Sequence, residues 1–527
     1  MAEVLLITLL SVWFCLRRSL HYLSFMQQDE YRTTRLWRWI FLRGAFDRKG
    51  TLTALGVSGL VALGVPATYP VAAGLFLAIA LEKSPTKHAK LPLKMTKRAK
   101  RLYVLSVTLY LLAAIAVAFI VPSVRWLWAA QAILFQAVPL FLTMAAICLM
   151  PWEWQSRRHY IKEAKAILDE VDPLVIGITG SYGKTSTKEI LGQVLRVAKG
   201  PTFWPPKGVN TDMGIVRHIR EDMTPHTEYA VVEMAAYGRG SIERLCCLTP
   251  PKAGLITNIG TAHLERFGTV ENIYQTKTEL ARAVDEDGIL VCNGDNAGAR
   301  RAAEENPKKV TLLFGFDHTK GHLDCWISSW HTCPTGVNYS LHYRDREYYC
   351  YSPLFGQPNL YNIMGAFTMA CALGCDPDYV VATLHTLEPV DNRLKVTKSD
   401  EITYLMDAYN SNPFGFSAAL DTMQSVQGER RIVVTPGMVE LGKKQFEENE
   451  RIGTHVASVC DLAIVVGKTN RKALKSGLEK GGMGPERMLF FDTRDHALAE
   501  LKTKTQAGDV VLIENDLPDL YEKKILF

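Results

Sequence analysis

Acidic residues are scarce where apolar ones are dense. The first 150 residues hold 17 lysines and arginines against 5 aspartates and glutamates, a balance of +12; with +6 over the 527 residues, the remainder carries −6. A stretch that is both basic and greasy points to a membrane surface rather than to nucleic acid. Charge is nearly absent inside the apolar runs at 51–65, 67–82, 102–121 and 126–150, which gives no support to a transport pathway lined by ionisable groups. The eleven cysteines lack metal-ligand spacing, and the Cys246-Cys247 pair and Cys371 with Cys375 sit in apolar stretches that read as core. The expectation is reduced thiols in a cytosolic domain, and no zinc.

The apolar material comes first in the chain. Met1 to Leu16 is apolar and is followed by Arg17-Arg18. A cleaved signal would carry its charge ahead of the apolar run and end in small residues, so a retained anchor is expected. The runs 102–121 and 126–150 are long enough to span a core of about 30 Å, whereas the pair around Gly64-Val-Pro66 is short, two helices or a re-entrant hairpin. Basic residues crowd two connections, Arg17 to Lys49 and Lys83 to Arg101. Placing both in the cytoplasm requires about five crossings, an outside N-terminus and everything after Trp152 inside. That predicts a multi-pass protein of the cell membrane. Leu36-Trp-Arg-Trp-Ile40 reads as an interfacial anchor rather than a lipid-specific site.

From about residue 160 the pattern turns α/β. Leu174-Val-Ile-Gly-Ile-Thr179 reads as a buried strand, and Ile190, Leu191, Val194 and Leu195 recur at helical spacing. Between them lies Gly180-Ser181-Tyr182-Gly183-Lys184-Thr185-Ser186. Glycines let backbone N–H groups close on an anion at a helix N-terminus, Lys184 supplies charge for outer phosphates, and Thr185 offers a hydroxyl to Mg²⁺. Only two residues separate the glycines, so the standard Walker spacing is not met, and taken alone the loop also fits an ordinary glycine turn. Tyr229–Glu233 and Ala253–Thr257 read as further strands of a mainly parallel sheet, whose carboxyl ends are where catalytic groups belong. Glu233 closes a strand, His263 follows one, and Lys277 falls on a helix; singly, each is also explained as a cap, a structural histidine or a solvated lysine.

Taken in order, TGSYGKTS, Asn210-Thr-Asp-Met-Gly214, Val232-Glu-Met-Ala235, Thr257-Asn-Ile-Gly-Thr-Ala-His-Leu264 and Lys277-Thr-Glu279 resemble the motif series of the Mur ligases. The nearest branch is the one that adds D-alanyl-D-alanine to the UDP-MurNAc tripeptide, and the resemblance covers about 170–520. It implies that Lys184 and Thr185 engage ATP and one Mg²⁺, that Glu233 shares that ion, and that His263 helps hold a second. Lys277 matches the family lysine that carries a carbamate and so serves the metal site. Gly356-Gln-Pro-Asn-Leu-Tyr-Asn362 is similar to the segment beside the adenine, with Asn359 and Asn362 in place and Pro358 where histidine is usual. The residues 321–353 alternate like a small antiparallel insert.

Beyond Pro389-Val-Asp-Asn-Arg393 a second α/β pattern begins, with strands at Thr403–Asp407, Arg431–Thr435, Leu462–Val466 and Val510–Ile513. It resembles the small Rossmann-like third domain of the family, which closes over the nucleotide; Arg393 and the Asp407-Ala-Tyr-Asn-Ser-Asn-Pro413 segment match nucleotide contacts. The expected division is a membrane region over 1–152, a P-loop ATP-binding domain over 153–387 and the third domain over 388–527. Two segments depart from the pattern. Thr435–Gly442 lacks the aspartate before Met438, and Glu514, Asp516 and Asp519 stand where a lysine-glycine-serine segment is common, an acidic change expected to favour an amine over a carboxylate.

The implied chemistry is ATP-dependent amide formation through an acyl phosphate, between a soluble or lipid-linked carboxylate and an amine such as an amino acid or dipeptide, in peptidoglycan or related envelope synthesis. Membrane segments replace the family's usual UDP-sugar domain. Three alternatives stay open: a membrane-anchored polyglutamate-type synthase, an ATP-driven transporter or sensor that makes no covalent bond, and a ligase-like scaffold without catalysis.

Overall fold

The computed structural model describes residues 2–28, 31–42, 47–64, 74, 93–236, 238–260, 264–408 and 411–515. The described residues divide into two compact units, one within 1–156 and the other within 157–515.

The first unit is helical. Its helices are Ala2–Gln28, Thr33–Leu42, Arg48–Ala62, Lys97–Ile120 and Val124–Leu134, and the helix Val138–Val171 begins in it. Three stretches, Glu3–Gln28, Lys97–Ile120 and Trp126–Val171, are long and apolar enough to cross a membrane. Of the other two expected crossings, the run at 51–65 falls largely on the short helix Arg48–Ala62, and the run at 67–82 lies outside the described residues except for Gly74. Outward-facing apolar side chains are plentiful, among them Leu5, Leu9, Phe119, Ile120 and Ile147. One feature corrects the sequence reading. The first helix does not stop at Arg17-Arg18, and Arg18 turns inward to meet Asp47 at 2.7 Å, both almost wholly buried. Asp47 also accepts the Gly50 N–H and so caps the helix Arg48–Ala62. A charge pair is therefore set among the apolar helices, where removing either partner strands the other in a medium of low dielectric.

The second unit carries two sheets. The larger is built from β1 (Leu174–Thr179), β2 (Thr202–Phe203), β3 (Tyr229–Glu233), β4 (Ala253–Ile256), β5 (Ile289–Asn293), β6 (Val310–Gly315), β7 (Cys325–Cys333), β8 (Gly336–Tyr343) and β9 (Arg346–Ser352). Their order is β2-β3-β1-β4-β5-β6-β7-β8-β9. Pairing is parallel from β2 through β7, and β7–β9 form the antiparallel insert expected from alternation. Side chains alternate between two cores: Ile176, Ile178 and Val231 pack with Ile190, Leu191, Val194 and Leu195, while Val175, Ala230 and Val232 face the opposite layer. Each of the four helix residues is buried, which is worth about 1.5–3 kcal/mol apiece and ties the helix Lys184–Ala198 to the sheet. Because β1 lies between β3 and β4, the loop after it sits where the strand order reverses, the place where open α/β sheets bind ligands.

The smaller sheet contains β10 (Lys395–Ser399), β11 (Ile402–Asp407), β12 (Arg431–Thr435), β13 (Leu462–Val466), β14 (Met488–Phe491) and β15 (Val510–Glu514), in the order β10-β11-β15-β12-β13-β14. Only β10 runs antiparallel to its neighbour. Its two faces carry separate apolar clusters, as a covered parallel sheet requires. The cysteine expectation needs one change: Cys246, Cys371 and Cys375 are buried, but Cys247 is exposed.

Candidate active site

The loop leaving β1 is shaped by its glycines. Gly183 has φ +79° and a side chain there would meet Asn362 Oδ1 at 2.4 Å; at Gly180 it would meet Thr257 Oγ1 at 1.9 Å. Neither position accepts a Cβ, for reasons of both conformation and space. Asn258 then templates the turn, its Oδ1 accepting the N–H groups of Ser181 and Tyr182 at 3.0 Å each. The Ser181 hydroxyl accepts the Gly260 N–H, and Thr257 Oγ1 donates to the Tyr182 carbonyl. Lys184 and Thr185 open the following helix, with Ser186 buried behind them. Lys184 Nζ donates to the carbonyls of Gly180 and Ser181 at 2.8 and 3.3 Å.

Glu233, the last residue of β3, comes to the same place. Thr185 Oγ1 donates to its Oε2 at 2.8 Å and Asn210 Nδ2 to its Oε1 at 2.9 Å. Lys277, at the end of the helix Val270–Lys277, is also buried here. Burial pushes the Lys184 amine below the ordinary lysine range, with Glu233 opposing and Arg393 reinforcing the shift. Burial lowers Lys277 further, Lys184 adds to the effect, and Glu233 and Glu279 oppose it. Both amines therefore hold a proton less tightly than a free lysine does. Glu279 itself points away and accepts the N–H groups of Gly240, Ile242 and Glu243, so it caps the helix Ser241–Leu248.

Asn359 and Asn362 lie on the helix Gln357–Ala372 and are occupied by the protein itself. Asn362 Oδ1 accepts from Thr187 Oγ1 at 3.1 Å, its amide donates to Asn359 Oδ1, and Asn359 donates to the Phe355 carbonyl. Through Thr187 they hold the helix that follows the glycine loop. In the smaller sheet the Leu394 N–H donates to Asp407 Oδ1 at 3.2 Å. Burial raises the Asp407 carboxyl to about 6, against the pull of Arg393 and the Leu394 N–H. His263 lies outside the described residues.

The acidic departure at the end of β15 takes a different form from the one expected. Glu514 is fully buried and stands in register with Asp407. Ser411 Oγ donates to its Oε1, and its Oε2 has no hydrogen-bond partner among the described residues. Burial, then the neighbouring Asp407, hold its carboxyl well above the ordinary value. Enclosed, and shifted toward its protonated form, Glu514 does not present a solvent-facing charge to an incoming amine. Asp516 and Asp519 lie outside the described residues.

Sequence reasoning passed over Asn210, Asn258 and Asn296 as individual groups. Asn296 Oδ1 accepts the Ile259 N–H and secures the turn that carries Asn258. Asn210 and Asn258 stood inside quoted motifs, but only the fold brings them onto Glu233 and the phosphate loop.

Residues 178–370 match the Mur ligase middle domain, and 392–514 match the Mur ligase glutamate ligase domain. The chain is 32% identical over 366 residues to the UDP-N-acetylmuramoyl-tripeptide–D-alanyl-D-alanine ligase of Mycobacterium tuberculosis (strain CDC 1551 / Oshkosh), an alignment covering 64% of this chain and 70% of that protein. The chain belongs to the Mur ligase family. Among solved structures of the family, MurF from Thermotoga maritima in complex with ADP shares 28% identity with a TM-score of 0.60, over 68% of this chain and 80% of that one. MurF from Acinetobacter baumannii gives 26% and 0.60, over 68% and 77%. As a Mur ligase the chain is an ATP-dependent amide-bond ligase of peptidoglycan precursor synthesis.

Proposed function

We propose that this Mur ligase works at the inner face of the cell membrane, anchored by residues 1–152, and extends an envelope peptide by joining a precursor carboxylate to an amine. The observation that carries the reaction is the seating of Glu233 against Thr185 and Asn210 at the mouth of the phosphate loop. The T. maritima relative was solved with ADP, and the loop is where this chain would take the nucleotide. The 153–387 portion would bind ATP, and the 388–527 portion would close over it with Arg393 and Asp407.

The donor set fits Mg²⁺: a hydroxyl and a carboxylate are hard oxygen ligands, and nucleotide phosphates complete such a site. Thr185 and Glu233 would hold the first ion and His263 with Lys277 would serve a second, Lys277 after carbamylation. The weakened hold of its amine on a proton favours that modification, because it is an unprotonated amine that attacks CO₂. Bound there, the metal supplies charge neutralisation between two anions that otherwise repel. Lys184 does the same from the protein side. The substrate carboxylate attacks the γ-phosphate and releases ADP, giving an acyl phosphate. The amine then attacks the acyl carbon, loses a proton, and displaces phosphate to leave the amide. Closure of the smaller domain would exclude the water that competes with the amine.

By the names of its relatives, the substrates would be a UDP-MurNAc tripeptide and D-alanyl-D-alanine. Three helices of membrane-crossing length favour a lipid-linked form of the same peptide as the second candidate. The full chain, purified in detergent with ATP and Mg²⁺, is given D-alanyl-D-alanine and either the UDP-linked or the lipid-linked tripeptide. Mass spectrometry should show one of the two extended by a dipeptide, with ADP formed in step. No amide product from either acceptor would sink the substrate reading. Recovery of the chain in the soluble fraction without detergent would sink the anchoring.

A further inference from the structure

The helix that begins at Lys184 carries a second buried lysine that the reaction does not use. Lys188 is completely enclosed. Its Nζ donates to the carbonyls of Pro205 and Lys207 and lies 3.2 Å from Glu189 Oε1. Lys207 has a left-handed backbone, φ 48°, a conformation that needs outside support in a residue with a side chain. The same segment is fastened again one residue earlier. Trp204 Nε1 donates to Glu189 Oε2 at 2.8 Å, Arg196 covers the indole at 5.0 Å, and a Cβ on Gly192 would strike the ring at 2.5 Å. Three residues beyond Lys207, Asn210 holds Glu233 Oε1.

We infer that Lys188 is a positioning residue: its ammonium fastens the segment from Trp204 to Asn210 onto the phosphate-loop helix and thereby sets the carboxylate of Glu233 beside Thr185. The connection runs Lys188 to the Pro205 and Lys207 carbonyls, along the backbone to Asn210, and from the Asn210 amide to Glu233. A lysine suits this task because one ammonium offers three donors and can close on two carbonyls and a carboxylate together. Enclosure keeps those bonds from exchanging with water. The end effect on metal binding rests on the proposed Mg²⁺ at Thr185 and Glu233; the ordering of the segment does not.

The test uses the full chain in detergent and two readouts that need no turnover. Hydrogen exchange over 204–211, without nucleotide or metal, reports the fastening. Mn²⁺ titration by electron paramagnetic resonance, with a non-hydrolysable ATP analogue present, reports the carboxylate. Lys188→Met should speed exchange in that segment at least about tenfold while leaving β1 and β3 protected, and should raise the Mn²⁺ half-saturation at least about fivefold. Wild-type values for both in a folded variant overturn the inference; Lys188→Gln serves if the methionine variant does not fold. Should neither fold, Asn210→Ala cuts the relay at its far end, and an unchanged Mn²⁺ half-saturation there overturns it equally. Glu233→Gln separates the two claims: if it leaves Mn²⁺ binding unaltered, the metal reading fails while the exchange data still judge Lys188.

Discussion

Glu233 and Glu514 occupy matching places, each the last residue of a parallel strand in its sheet. Glu233 has both oxygens hydrogen-bonded, by Thr185 and Asn210, and two lysines, Lys184 and Lys277, feel its charge. Glu514 has one oxygen satisfied by Ser411, and its near neighbour is another acid, Asp407. The same residue at the same kind of position thus has two lysine amines for neighbours in one sheet and, in the other, a second acid beside it and a carboxyl pushed upward by burial. Strand-end location makes a residue available for chemistry; neighbours decide its charge.

The contrast can be attacked from its strongest side first. Removing the cation proposed to face the phosphates, by Lys184→Ala, should cut ADP formation on the order of 10³-fold, since a preorganised charge at a developing anion is among the larger catalytic terms. Turnover near the wild-type rate would remove Lys184 from the reaction. Glu233→Gln keeps an oxygen for Thr185 but loses the charge, and should lower the rate on the order of 10²-fold with a higher Mg²⁺ requirement in steady-state kinetics. If the metal requirement is unmoved, the two glutamates are more alike than the structure states.

On the other sheet the effects are smaller and appear in stability. The Asp407 and Glu514 carboxyls bind protons more tightly folded than unfolded. Unfolding therefore releases protons, so this pair contributes most below the ordinary carboxylate range; the Asp407 contribution is lost as pH rises from about 4 through about 6, and that of Glu514 also falls as pH rises. Asp407→Asn should flatten that decline, raising the melting temperature at pH 7 on the order of a few degrees relative to wild type, while leaving it unchanged at pH 4. A parallel decline in both proteins breaks the assignment. Glu514→Gln, which keeps the shape and an acceptor for Ser411 where burial disfavours a charge, should change stability least, by about 0.5 kcal/mol or less in denaturant titrations. A large loss would mean that Glu514 is ionised, and the contrast with Glu233 would disappear.

Much of this was legible in the chain itself. β12 and β13 have the bounds expected from their apolar β-branched runs, β1 and β3 likewise, and the insert at β7–β9 followed from alternation. These are local signals: a period of two, a glycine at a forced turn, a four-residue helical repeat. The tight glycine turn of GSYGKTS was legible for the same reason, because its geometry is set within a few residues. What the sequence left open was every relation between distant residues. Nothing local says that Arg18 meets Asp47, that Glu514 is buried in register with Asp407, or that the Pro205 and Lys207 carbonyls close on Lys188. Burial and partnership are properties of the folded chain, and for an ionisable group they fix whether it is charged, whether it is held, and so what it can do.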